Sequence, residues 1–146
     1  VEALENGEPV PADLRGAVIF YAGPSPARPG LPIGSIGPTT SYRMDPYAPA
    51  LLEEGGMGMI GKGDRSPEVV GSIVKNGAVY FGAAGGIAAL LARSVASSEI
   101  IGYEDLGPEA MLKLDVREMP LTVLIDSRGA SLYLSGWERF RRAKKA

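Results

Sequence analysis

The sequence predicts an α/β layered domain built on a mixed sheet. Short β-branched and aromatic runs alternate with helical patterns along the chain, which argues for helices packed on a sheet. Two features argue against a purely parallel, doubly wound sheet: a long first connection and a closing pair of apolar runs that reads as a hairpin. The 146 residues fit one domain, 1–146, with a sizeable core.

The elements are predicted in order as follows. Val1 to Asn6 reads as the end of a helix already under way, closed by Gly7, so further residues are expected upstream. Ala17 to Tyr21 is a short β-branched and aromatic run, predicted to be a buried strand. Gly23 to Gly37 carries Pro24, Pro26, Pro29 and Pro32 and reads as a connecting loop. A helix is expected from about Ser41 to Glu54, broken at Asp45-Pro46, which has the form of an N-cap followed by an N1 proline. Met57 to Ile60 reads as a strand and Gly61-Lys62-Gly63 as a turn.

Ser66-Pro67-Glu68 opens a helix that runs to Lys75 and stops at Asn76-Gly77. Ala78 to Phe81 is the next strand, followed by a glycine turn, Gly82 to Gly86, and a small-residue helix, Ile87 to Val95. Glu99 to Tyr103 is strand-like, and Pro108 to Leu114 is expected to form a short helix. Leu121 to Asp126 and Ser131 to Leu134, joined by Ser127-Arg128-Gly129, form the expected hairpin. The basic tail, Trp137 to Lys145, reads as a solvated terminal helix.

Composition narrows the chemistry. The chain has no cysteine and no histidine, so it offers no thiol nucleophile, no thiolate ligation and no imidazole base. Its chemistry must run on hydroxyls, Arg, Lys and carboxylates, or on groups from another chain. A net charge of −2 gives no electrostatic footprint for nucleic acid. The longest apolar runs fall well short of the ~20 residues that span a bilayer. No signal peptide is visible, and a cytoplasmic location is expected.

Four stretches qualify as candidate sites. Gly56 to Lys62 matches seven positions of a phosphate loop, but Gly63 replaces the metal-binding hydroxyl and the apolar run Met57–Ile60 occupies the loop. That leaves Lys62 between two glycines at a strand end, where α/β folds place ligand groups. Gly82 to Gly86 lies at a strand-to-helix junction, where bare amides can meet an anion or simply allow close packing. The adjacent acids Glu104-Asp105 point in different directions and suit a cap before Pro108.

The fourth stretch is "GPTTSYRMDPY", residues 37 to 47. If Thr39 or Thr40 starts a helix, Arg43 lies on the same face within ~6 Å. Hydroxyls, a helix N-terminus and a guanidinium would then suit a carboxylate held bidentately. Lys62 would close the site from the next strand end, and the plain alternative is a capped helix carrying a surface arginine.

"GPTTSYRMDPY", "GMIGKGD", "GAVYFGAAGGIAAL", "YEDLGPEAMLKLDV" and "VLIDSRGASLY" occur in that order. Together they resemble the β-subunit, or C-terminal domain, of class I iron–sulfur hydro-lyases, fumarate hydratase and L(+)-tartrate dehydratase, over roughly residues 15 to 135. The resemblance implies a layered β/β/α swivelling domain with a mixed sheet. It implies a partner α-subunit that holds a [4Fe–4S] cluster through its own cysteines, so that the cluster is not bound by this chain. The implied activity is reversible hydration of fumarate to malate in a hetero-oligomer. The alternatives are a tartrate dehydratase β-subunit or a non-catalytic anion- or protein-binding module, and the "RMDPY" form leans towards fumarate.

Carried over by motif, Thr39 is implied as the proton-transfer group, and Arg43 and Lys62 as holders of the substrate carboxylates. Thr40 belongs to the same substrate-binding group. The family's further arginine, in an Arg-Asp-Ala-Ala-His-like motif, would fall before Val1.

Overall fold

The computed structural model describes residues 2–141. In chain order the strands are β1 (Val18–Phe20), β2 (Gly58–Gly61), β3 (Val79–Gly82), β4 (Val95–Gly102), β5 (Met111–Val116) and β6 (Thr122–Ile125). The α-helices are α1 (Glu2–Glu5), α2 (Ala48–Glu53), α3 (Pro67–Asn76), α4 (Ala88–Ala92) and α5 (Leu132–Ser135), with 3-10 turns at Ser41–Met44, Glu104–Glu109 and Glu138–Phe140.

The main sheet has the order β1-β2-β3-β6. β1, β2 and β3 are parallel, and β6 closes the sheet antiparallel to β3, so the sheet is mixed as expected. β4 and β5 form a separate antiparallel ribbon.

Side chains alternate across a strand, and here the alternation sorts two cores. Met59 and Tyr80 point to one face and pack with Leu52 of α2 and Val69 and Ile73 of α3. Their sequence neighbours Ile60 and Phe81 point to the other face, with Leu91 of α4, Val95 of β4 and Leu112 and Leu114 of β5. α2 and α3 cover one face, and α4 together with the β4–β5 ribbon covers the other, so the sheet lies between two layers.

α3 follows its sequence signals closely. The Ser66 side chain accepts from the Val69 amide, Glu68 sits in the first turn, and Gly77 ends the helix at φ +66°. Val69 and Ile73, four residues apart, are fully buried, each contributing about 1.5–3 kcal/mol from removal of apolar surface.

Several expectations are corrected. β1 is an edge strand, with Val18 half exposed rather than buried. The helix expected to Val95 stops at Ala92, because Val95 is buried and pairs with Val116 as the first residue of β4. The helix expected over 108–114 is the 3-10 turn Glu104–Glu109 followed by β5. In β5 Leu112 and Leu114 face the core two residues apart, so strand alternation overrides the helical propensity of Met-Leu-Lys-Leu.

The closing hairpin reduces to a single bridge, Ile125 to Ser131, after which Ser131 caps α5 through the Tyr133 amide. Of the basic tail, Glu138–Phe140 is a 3-10 turn, and positions 142–146 lie outside the described residues. No described helix is long and apolar enough to cross a membrane.

Candidate active site

Because β1, β2 and β3 are parallel, their carboxyl ends share one edge of the sheet, the usual place for a ligand in an open α/β sheet. Tyr21, Lys62 and Ala83 follow the three strand ends. The Tyr21 amide donates to Ile60 O at 2.9 Å and the Ala83 amide to Gly61 O at 3.0 Å, which extends the ladder to that edge.

The segment 37–47 is laid across this edge. Pro38 bridges Ala22. The Thr39 amide and hydroxyl both donate to the Tyr21 carbonyl, at 2.8 and 3.1 Å. Thr40 forms a single parallel bridge with Lys62. Ser41 donates its amide to Lys62 O at 2.9 Å, and the Lys62 amide donates to Ser41 Oγ at 3.2 Å.

The three hydroxyls therefore have three fates. Ser41 is fully buried and braces the Lys62 turn, Thr39 is anchored on the end of β1, and Thr40 makes no side-chain capping bond. Two sequence expectations change as a result. Thr40 is the N-cap residue of a four-residue 3-10 turn, too short to bring a helix dipole to the site. Asp45 caps no helix: it ends that turn, and α2 starts only at Ala48.

Thr39, Thr40 and Lys62 are brought together by these backbone bonds. Arg43 is carried on the same segment, in the last position but one of the 3-10 turn. Arg43 and Lys62 are both exposed, and among the described residues neither makes an ion pair. Two exposed cations on segments that meet at the strand ends, neither ion-paired among the described residues, match the charge of a dianionic ligand.

The two glycines around Lys62 have separate causes. A side chain at Gly61 would collide with Ser41 Oγ, and Gly63 adopts φ +87°. Gly58–Gly61 is strand rather than loop, which removes the phosphate-loop reading of the G-x-x-x-x-G-K match. The Gly82 to Gly86 turn reaches the same edge, but the helix after it has only five residues, so no helix field adds to its amides. Glu104 and Asp105 are exposed in the first turn of the 3-10 segment between β4 and β5.

Sequence reasoning missed the support beneath the edge. Arg65 is buried, its Nε donates to Asp45 Oδ1 at 2.7 Å, and the other Asp45 oxygen accepts the Ser66 amide at 2.6 Å. The guanidinium lies 5.4 Å from the centre of the Tyr21 ring and 5.0 Å from that of Tyr80. Tyr80 hydroxyl reaches Ser41 Oγ at 3.0 Å and Gly63 O at 2.9 Å. Burial pushes the pKa of both tyrosines up, partly opposed for Tyr21 by the Arg65 charge and for Tyr80 by its bond to Ser41. An aspartate before a proline and an arginine in a glycine-rich turn give no sequence sign of a buried pair.

The donor set does not fit a metal cluster. The chain has no thiolate and no imidazole, and among the described residues no group of three or more acids gathers.

The fold and edge define an α/β domain that presents hydroxyls and cations at the ends of parallel strands. Residues 1–136 match the family described as Fumarase C-terminus, and the chain belongs to that family. It is 41% identical over 134 residues to the aerobic class I fumarate hydratase of Escherichia coli K12, covering 90% of this chain and 24% of that protein. It is 39% identical to the mitochondrial fumarate hydratase 1 of Leishmania major, over the same shares. A Methanocaldococcus jannaschii protein assigned by name as L(+)-tartrate dehydratase subunit beta is 37% identical over 139 residues, 91% of this chain and 71% of that one. These relatives are hydro-lyases by name. The chain spans 23% to 25% of the length of the fumarate hydratases it matches.

Proposed function

We propose that this chain is the β-subunit of a cytoplasmic iron–sulfur hydro-lyase that reversibly hydrates fumarate to malate. In this reading it supplies carboxylate-binding and proton-transfer groups to a site shared with a cluster-bearing α-subunit. The observation that carries the reading is the Thr40–Lys62 bridge, which lays the Thr-Thr-Ser-Tyr-Arg segment against the Gly-Lys-Gly turn. The identity to class I fumarate hydratases supports the choice of reaction.

In this reading Arg43 and Lys62 each take a substrate carboxylate. Removing a proton beside a carboxylate loads negative charge onto its oxygens, and a fixed cation there stabilises the charge as it develops. Arg43 adds two parallel donors, which orient the group as well as bind it. Thr40 lines the substrate beside Lys62.

Thr39 moves the proton. A hydroxyl is a weak base at neutral pH, so Thr39 acts as a relay with a carboxylate from the partner. To donate, it releases the Tyr21 carbonyl, which keeps the Thr39 amide at 2.8 Å and is not left unpaired. The cluster stays with the partner, since this chain has no thiolate to hold it.

The test is to assemble this chain anaerobically with a cluster-bearing partner and assay fumarate hydration and L(+)-tartrate dehydration side by side. Fumarate turnover in the complex, with neither turnover nor brown absorbance from the chain alone, is the expected result. Turnover of tartrate only would assign the second activity. Cluster formation and turnover by this chain alone would overturn the shared site, and a stable complex silent on both substrates would favour a binding module.

A further inference from the structure

Three hydroxyls from three separate parts of the fold converge on the backbone around Lys62. Tyr133 in α5 accepts the Gly63 amide at 3.1 Å. Ser41 Oγ accepts the Lys62 amide at 3.2 Å. Tyr80, fully buried in β3, lies 3.0 Å from Ser41 Oγ and 2.9 Å from the Gly63 carbonyl.

One phenol proton cannot serve both partners, and the carbonyl can only accept. Tyr80 therefore donates to Gly63 O, and the Ser41 hydroxyl donates to the Tyr80 oxygen. The remaining lone pairs of Ser41 take the Lys62 amide. A single direction satisfies every group: Lys62 N–H to Ser41, Ser41 to Tyr80, Tyr80 to Gly63 C=O. This chain of bonds runs from the peptide before Lys62 to the peptide after Gly63, and so brackets the two residues. A phenol is protonated at neutral pH, and burial raises the Tyr80 pKa further, so the direction holds there.

A phenylalanine at position 80 would meet the same apolar neighbours as the tyrosine ring. The hydroxyl is what differs, and its bonds go to Gly63 and to Ser41, the residue that also holds Lys62. The absent side chain at Gly61 fits the same design, because any β-carbon there would displace Ser41 Oγ.

We infer that Tyr80 and Ser41 are positioning residues that fix the backbone from which Lys62 reaches the substrate carboxylate. The inference rests on the carboxylate-binding assignment of Lys62 made above. The lysine side chain is exposed and has many rotamers, so a fixed starting point for its chain reduces the freedom lost on binding. Misplacement at this turn would act on substrate affinity first.

The test uses the assembled enzyme and the variants Tyr80→Phe, Ser41→Ala, Lys62→Ala and Tyr80→Phe/Lys62→Ala. Tyr80→Phe should lower kcat/KM about tenfold, mostly through KM. Ser41→Ala should do the same, and it stands in if Tyr80→Phe does not assemble. The pair should be non-additive: once Lys62 is alanine, losing the Tyr80 hydroxyl should cost nothing further. Hydrogen–deuterium exchange, read by mass spectrometry on a peptide covering 61–64, should quicken in Tyr80→Phe and Ser41→Ala.

Fully additive losses in the double variant would overturn the inference, because a residue that only stabilises the core acts independently of Lys62. Unchanged exchange over 61–64 would overturn it as well. If Lys62→Ala has wild-type kinetics, the carboxylate assignment of Lys62 fails, and the exchange measurement alone then decides whether Tyr80 fixes the turn.

Discussion

Arg65 and Asp45 form a buried ion pair, Nε to Oδ1 at 2.7 Å, between the segment that carries Arg43 and the turn that carries Lys62. The Arg65 side chain is 0% exposed and that of Asp45 10%. Asp45 also takes the Ser66 amide, so one carboxylate joins the 3-10 turn to the start of α3. The pair sits beneath the proposed carboxylate site and holds its two halves in register.

Breaking this pair from one side should be costly. Asp45→Ala leaves a guanidinium buried without its counter-charge, and a loss of about 3–5 kcal/mol in unfolding free energy is expected. Adding Arg65→Met removes the stranded charge and should recover part of that loss. Chemical denaturation of the three proteins checks both statements. A loss below about 1 kcal/mol for Asp45→Ala would mean that the charge is solvated in solution.

Thr39→Ala and Thr40→Ala should separate by function rather than by stability. Thr39 loses one bond to a carbonyl that keeps a second donor, so about 0.5–1.5 kcal/mol is at stake. Thr40 makes no side-chain capping bond, and its removal should change the melting temperature little. In the assembled enzyme Thr39→Ala should lower kcat by about 100-fold or more, as for loss of a proton-transfer group. Thr40→Ala should retain more turnover. An active Thr39→Ala enzyme would move the proton path to Thr40 or to the partner.

Gly61→Ala should perturb the site from behind. The added β-carbon meets Ser41 Oγ, so Ser41 must shift and release the Lys62 amide. The expected cost is about 1–3 kcal/mol, in the range for overpacking. Ser41→Ala in the same background removes the clashing oxygen and should restore part of it. Equal stability for Gly61→Ala and wild type in a denaturant titration would contradict the close approach.

Tyr21 offers a test in alkali. Its hydroxyl is buried beside the Arg65 guanidinium without a hydrogen bond of ordinary length and angle among the described residues, and burial raises its pKa above the ordinary value of 10.0. A raised phenol pKa leaves stability intact below the unfolded value and lowers it as pH climbs from there through the folded value. Stability should therefore fall as pH rises above about 10, less steeply in Tyr21→Phe. Near neutral pH Tyr21→Phe should be as stable as wild type or more so, because an unsatisfied buried hydroxyl is removed. Marked destabilisation at pH 7 would reveal a partner for the hydroxyl.

The parts of this fold written in local signals were legible in the sequence. Ser66-Pro67-Glu68 and Asn76-Gly77 bracket α3 because capping and left-handed glycine are decided within a turn. Met111-Leu112-Lys113-Leu114 misled, since good helix formers filled a strand whose two-residue burial period only the partner β4 makes plain. Thr39, Thr40 and Lys62 were legible as candidates, but not the bridge that joins Thr40 to Lys62. Arg65 and Asp45 lie 20 residues apart, and only packing shows that they meet. Tyr80 reads in the sequence only as part of the strand run Ala78 to Phe81, because nothing local shows where its hydroxyl points.

The central claim is that the exposed cations on this strand edge hold the substrate carboxylates, and Arg43→Lys tests it most directly. Arg43 is exposed and makes no ion pair among the described residues, so the change should leave folding and assembly intact. Lysine keeps the charge but loses the two-pronged donor. The measurement is kcat/KM for fumarate in the assembled enzyme. A loss of about 100-fold, roughly 3 kcal/mol of transition-state stabilisation, is the predicted result. A value within about threefold of wild type would contradict the claim and leave Arg43 as a surface residue.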